Sequence, residues 1–258
     1  NSPKTVISVT DGVAIPSKKD PGLFTAWRVS FVGALLIVIS LVTFKPDPYW
    51  EILKFLPDGI LVTFQVTVMS IVLALIIGLF TGLGRLSRNR VINGIASVYV
   101  EVIRGIPLLV QLFYIYFALG RIVNVPPITS AVIAMAVCYG AYMGEIFRAG
   151  IASIPKGQRE AARSLGMTSS QAMRYVILPQ AVKTILPPIG NEFVALLKDS
   201  SLVSILAVSD LLRRGREYAA QSFAYFETYT MVALVYLIIT LFLSKIISIM
   251  EDRISAGK

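Results

Sequence analysis

The sequence predicts an all-α membrane protein with six transmembrane helices, on three observations. Of its 258 residues, 55% are hydrophobic and only 15% charged, with a mean hydropathy of +0.73, whereas a soluble domain carries about 25% charged residues. The apolar residues gather into six runs, each near the roughly 20 residues that a helix rising ~1.5 Å per residue needs to cross a bilayer. The net charge of +9 is distributed unevenly between those runs, as expected when cytoplasmic loops collect Lys and Arg.

The first run is 29–44 within a span 27–46, and a mixed tail, 1–26, precedes it. It reads as a retained helix rather than a cleaved leader, because no small-residue cleavage site precedes Lys45. The second run, 60–83, contains no charge. The third is 106–120 and the fourth 128–147. The fifth, 184–206, is interrupted by Pro187, Pro188, Glu192, Lys198 and Asp199. The sixth is 228–250, followed by a short tail at 251–258.

Placing both termini in the cytoplasm puts a net +11 inside, zero outside and −2 within the spans. The opposite placement violates the positive-inside trend, so both tails are expected to be cytoplasmic. The same distribution argues against nucleic acid, whose binding proteins cluster basic residues on one soluble face. The chain has no histidine and one cysteine, Cys138. Intrachain disulfides, histidine-dependent catalysis and the usual zinc ligand sets are therefore excluded, and no metal site is expected. No G-x4-G-K-[ST] phosphate loop occurs, so ATP splitting by that route would need a partner.

The loop at 152–180 lies within the largest positive block, the stretch 148–183, which sums to +5. Pro155 suits the start of a short helix, and Glu160 lies near that helix's positive end. Ala161 and Ala162 have little bulk, so another surface can approach the backbone. Gly166 is placed for a left-handed cap, and Pro179 breaks a second helix. A plain surface linker and a docking helix fit these residues equally.

Glu160, Ala161, Ala162, Gly166, Leu178 and Pro179 match the spacing EAA-x3-G-x9-I-x-LP, with Val176 at the isoleucine position. In this the chain resembles the permease subunits of ABC importers. Segments 104–111, 144–151 and 191–202 are similar to the polar amino acid (histidine/glutamine-type) members, and the resemblance extends over 57–250. It implies a five-span type I permease core, to which the helix at 27–46 is additional. It also implies that Glu160, Ala161, Ala162 and Gly166 belong to a coupling helix seated on an ATP-binding cassette subunit. ATP and Mg would be held by that partner, with no cofactor in this chain and no enzymatic activity of its own. The remaining implied partners are a second permease subunit, an extracytoplasmic substrate-binding protein and the lipid of a bacterial inner membrane. The implied function is ATP-driven import of polar amino acids by alternating access.

Charges at membrane depth cost at least about 2.5–3.5 kcal/mol each, so they face a cavity, a partner or a substrate. Glu192 and Asp199 are seven residues apart and share a helix face. With Lys198 they could complement the ammonium and carboxylate of an amino acid, and Ser200 could add a hydrogen bond. The alternative is that Lys198 and Asp199 pair with a neighbouring helix and hold the bundle together. Glu145 and Arg148 read as an i,i+3 pair rather than as ligands, and Glu101 with Arg104 reads similarly. Gln111, Tyr114 and Tyr139 either line a pathway or bond across helices. The Arg213, Arg214 and Arg216 group is either a docking patch for an external protein or a solvated charge run. An ion-coupled carrier or channel is the competing class. It predicts inverted repeats, and none is evident.

Overall fold

In a computed structural model, described for residues 25–123 and 125–256, every regular element is helical. Of the tails expected at 1–26 and 251–258, residues 1–24 and 257–258 lie outside the described residues. The first helix, α1 (Ala26–Phe44), begins where the Thr25 hydroxyl accepts the Arg28 N–H. It runs against the last helix, α11 (Tyr225–Ala256), and the Trp27 indole donates to the Leu241 carbonyl at 2.8 Å. Ala34 alone is buried on α1, so this additional helix is peripheral. Helix α2 (Pro46–Phe55) turns the chain back by burying Tyr49 and Ile52 against Leu211, Met231 and Val232.

The centre is built from α3 (Pro57–Arg85) and α6 (Pro127–Ala152). Both carry glycines four apart, Gly78 with Gly82 and Gly140 with Gly144. Small residues at this spacing let helix backbones approach closely in a membrane. A Cβ added at Gly82 would sit 2.7 Å from Phe147 Cβ, and one at Gly140 would sit 2.6 Å from Ile77 Cγ2. Gly78 faces Met143 while Gly82 faces Phe147, so the two helices run parallel.

Between them in sequence lie α4 (Arg90–Gly105) and α5 (Leu108–Ile122), bent by 109°. The expected third span, 106–120, is therefore only the second half of a broken pair. Pro107 has no N–H to continue α4, and the Gln111 amide donates to the Ile103 and Ile106 carbonyls, both at 2.7 Å. That side chain occupies the carbonyls freed by the break, which is why Gln111 is buried.

After α6 the chain forms α7 (Lys156–Ser164) and α8 (Ser169–Ala172), then a π-helical turn, Met173–Ile177, that leads into α9 (Leu178–Asp199). A 3-10 segment, Ser200–Leu206, ends at Ala207 with φ 63°. Helix α10 (Leu211–Ser222) follows, capped by Asp210. By length and composition α1, Pro46–Arg85, α6 and Tyr225–Ile254 are able to cross a membrane, and the bent pair makes a fifth if counted as one span. Helix α9, with its internal Pro187 and Pro188 and its charges, is not among them. The six-span expectation thus stands at four or five among the described residues.

Candidate functional site

Two constellations emerge, one inside the bundle and one at the end that carries α7. The first rests on α6, where Tyr139 and Tyr142 share a face at i,i+3 spacing. Tyr139 is 4% exposed, and its hydroxyl donates to Asp199 Oδ2 at 2.7 Å. The Tyr142 ring lies 5.8 Å from that of Tyr139. Half-buried Glu192, on the same face of α9 as Asp199, is within electrostatic reach of Asp199 and of Arg104. The Arg104 guanidinium lies 5.2 Å above the Tyr142 ring. Two carboxylates and two phenols are thereby gathered between α6 and α9, with a guanidinium at one edge.

Of the residues singled out from sequence, Glu192 and Asp199 meet here with Tyr139. Ser200 does not join them: it is fully buried, and its hydroxyl is spent on the Leu197 carbonyl at 2.7 Å. A helix-ending serine satisfying a local carbonyl is a common alternative to ligand binding. Lys198 is exposed and takes part in none of the ion pairs among the described residues. One residue from Asp199, it is rotated by about 100° off that face. Arg104 and Tyr142 enter the cluster although the sequence reading pairs Arg104 with Glu101 and passes over Tyr142. The i,i+3 repeat of tyrosines on α6 was the available signal. Tyr114, at 75% exposed, stays outside.

The second constellation begins three residues further along the same α6 face. The Glu145 carboxylate accepts from Arg148 Nε at 3.0 Å and from Arg85 of α3. The expected pair is thus a triad across two helices, with side chains 19–33% exposed. Helix α7 follows α6 after a short turn. Pro155 precedes it, and Gly166, at φ 82°, ends it in the left-handed conformation as expected. Glu160 and Ala161 are exposed. Ala162 is 3% exposed, and its carbonyl accepts the Met167 N–H at 3.2 Å. Its small size seats α7 on its own chain, and of the two alanines Ala161 is the one left open to another surface. A cleft of about 400 Å³ lies beside α7, lined by Leu86, Ile151, Ile154, Pro155, Arg159 and Glu160 among others.

Arg213 and Arg214 are engaged, Arg213 with Glu217 at 3.0 Å and Arg214 with Asp58 at 3.1 Å. Of that trio only Arg216 lacks an ion pair among the described residues. Among those residues no group of three or more Cys, Asp or Glu is placed to hold a metal ion.

Residues 74–256 match the family described as binding-protein-dependent transport system inner membrane component. The chain is 41% identical over 207 residues to the glutamine transport system permease protein GlnP of Escherichia coli (strain K12), covering 79% of this chain and 94% of that protein. It is also 41% identical over 208 residues to the L-cystine transport system permease protein TcyB of Bacillus subtilis (strain 168), covering 80% and 88%. Among solved structures, a crystal structure of an amino acid ABC transporter with histidines shares 42% identity at a TM-score of 0.75, over 84% of this chain and 98% of that one. An inward-facing MetNI methionine ABC transporter chain, 20% identical with a TM-score of 0.69 over 79% and 98%, shares the fold.

Proposed function

Because the chain belongs to the family of binding-protein-dependent transport system inner membrane components, and so is a membrane translocation subunit of an ABC importer rather than an enzyme, we propose that it carries polar amino acids through the cluster of Glu192, Asp199 and Tyr139. The observation that carries this reading is the Tyr139–Asp199 contact with Glu192 beside it. It gathers negative charge inside a bundle whose outer surface is apolar, where a substrate ammonium compensates the cost of desolvating the carboxylates. Names of the relatives, which transport glutamine and cystine, support the same substrate class.

In this reading α7 takes the force of a partner ATPase, which holds ATP and Mg, through exposed Glu160 and Ala161. Gly166 and Ala162 fix the shape of that helix. The α6 helix is joined to α7 by the short turn at 153–155, and α3 is locked to α6 by interlocking glycines and by the Glu145 triad. Closure of the ATPase then moves α3, α6 and α7 as one body, and the cluster between α6 and α9 opens alternately to either side. A second permease copy or sister closes the pathway, and an extracytoplasmic binding protein delivers the solute. The charge distribution supports a bacterial cytoplasmic membrane with α7 and both termini inside. Residues 57–250 form the core, in keeping with relatives that leave about a fifth of this chain unmatched, and 27–46 is the added span.

The test is reconstitution in liposomes with the ATPase subunit and binding protein. Labelled glutamine, arginine and cystine are offered with and without ATP. ATP-dependent uptake of at least one is expected. Uptake that proceeds without ATP or without the ATPase would overturn the reading in favour of an ion-coupled carrier.

A further inference from the structure

Helix α1 lies ahead of the residues that match the family, 74–256, and its attachment to the bundle is slight, with Ala34 alone buried. It runs antiparallel to α11. Trp27 meets Leu241 near one end, and Val38 and Leu41 reach the cluster that contains Met231 and Val235 near the other. Both helices are long and apolar enough to cross a membrane, so Trp27, in the first turn of α1, stands at a membrane edge. Lys245 reaches the same edge by a separate measure. It lies twenty residues past Tyr225, about 30 Å along α11, which is the thickness of the hydrocarbon layer.

The Trp27 indole is fixed in place, its N–H donating to the Leu241 carbonyl at 2.8 Å and its ring stacked on Phe31 at 5.1 Å. Leu241 is one helical turn before Lys245, whose ammonium lies 5.6 Å from the centre of the Trp27 ring. A lysine at a membrane edge ordinarily extends its flexible stem into water. Here the ammonium is held back over an aromatic face at the rim of the apolar surface. Lys245 is exposed and forms no ion pair among the described residues. The next acids on α11, Glu251 and Asp252, lie about 9–10 Å further along the axis. Arg28, exposed beside Trp27, heads a stripe of exposed Val32 and Leu36 at i,i+4 and i,i+8. Phe242 is exposed one turn before Lys245. Each helix thus presents a cation at the membrane edge and apolar side chains directly inward of it.

We propose that the seam between α1 and α11 binds an anionic phospholipid, with its headgroup phosphate at Lys245 and its acyl chain along Val32, Leu36 and Phe242. In the orientation proposed above this edge faces the cytoplasm, where the leaflet is rich in such lipids. A free phosphate carries the same charge but has nothing to lay on the apolar stripe, so the lipid is the occupant. Bridging the two helices, it supplies the attachment that one buried alanine does not.

The chain holds two tryptophans, Trp27 and Trp50, so W50F leaves Trp27 as its one indole fluorophore. The experiment reads quenching of Trp27 as brominated lipids are titrated into micelles of the purified full chain. Brominated phosphatidylglycerol is expected to bind about 5-fold more tightly than brominated phosphatidylcholine, the value of one lysine beside an anionic lipid. K245Q is expected to abolish that preference and K245R to keep it. K54Q, in the outer helix α2, is expected to leave it unchanged. Raising salt from about 0.05 to 0.5 M should shrink the preference without any substitution, so the test does not depend on how K245Q folds. Equal quenching by the two lipids in the W50F chain, or a preference that survives K245Q, would reduce Trp27 and Lys245 to interface anchors and overturn the proposal. Relief of phosphatidylglycerol quenching by inorganic phosphate at constant ionic strength would overturn it in favour of a free-anion site.

Discussion

The Tyr139 hydroxyl donates a 2.7 Å hydrogen bond to the Asp199 carboxylate, tying the middle of α6 to the last residue of α9. Tyr139 is buried and Asp199 half-buried, and a hydroxyl donating to a carboxylate is the stronger, charge-assisted kind of bond. Y139F is expected to cost about 1.5–3 kcal/mol, read as a lower melting temperature of the purified complex. In a double-mutant cycle, D199N should cost less in the Y139F background than in the wild type. Additive effects would show that the two side chains act independently.

Glu145 holds two arginines from two helices, Arg85 on α3 and Arg148 on α6. E145Q leaves both guanidinium groups without their carboxylate where α6 turns towards α7. ATP hydrolysis is expected to continue while transported solute per ATP falls several-fold, since α3 no longer follows α7 rigidly. Measured uptake and phosphate release in one liposome preparation give the ratio, and E145D should recover part of it. An unchanged ratio would remove the triad from the coupling path.

Neighbouring alanines on α7 should respond differently to the same enlargement. Ala162 is 3% exposed, so A162L overpacks the seat of α7 and is expected to lower stability by about 1–3 kcal/mol. Ala161 faces outward, so A161L is expected to leave stability within about 0.5 kcal/mol while lowering ATPase stimulation by substrate. Thermal unfolding and ATPase assays on the two variants separate the roles.

Glycine substitutions test the close approach of α3 and α6. A Cβ at Gly82 meets Phe147 Cβ at 2.7 Å and the Gly144 carbonyl oxygen at 2.8 Å, and backbone cannot retreat as a flexible side chain can. G82A is expected to destabilise by about 1–3 kcal/mol. Gly94 in α4 has open space around it, so G94A is expected to stabilise by about 0.5–1 kcal/mol through lost chain entropy. Melting temperatures shifted in opposite directions would bear this out.

Asp210, in the connection between α9 and α10, accepts the Arg213 N–H at 3.0 Å and the Leu212 N–H at 3.3 Å, and is fully buried. Burial pushes its carboxyl up from 3.8 to about 6, against the lowering effect of those bonds. An acid whose folded pKa is raised binds its proton more tightly when folded. Its effect therefore favours the folded state as pH falls from about 6 towards 4 and opposes it above 6. D210N, which keeps a capping oxygen, should flatten the pH dependence of stability over that window, as measured by denaturation at fixed pH steps.

Much of this was legible along the chain. The apolar runs, the positive-inside distribution, the left-handed Gly166 and the shared face of Glu192 and Asp199 depend on spacing and composition alone. Spacing on one helix also suggested Glu145 with Arg148, and that pair forms. What escaped was whatever depends on a second helix. Arg85 is 60 residues from Glu145, and Tyr142 meets Arg104 only because α4 lies against α6. The break at Pro107 was read as a span boundary, because sequence does not reveal that Gln111 folds back to satisfy the carbonyls of α4.

By itself the sequence determined the class of protein, because hydrophobic periodicity, helix caps and loop charge are local properties that water and lipid impose on any chain. Only the tertiary structure decided which polar side chains are free to act. Ser200 is consumed by its own helix, Lys198 turns away and Ala162 is buried, while Arg104 of α4 lies over the Tyr142 ring of α6. In a low-dielectric bundle each polar group must find a partner, and which partner it finds is fixed by distances between helices that no single helix encodes.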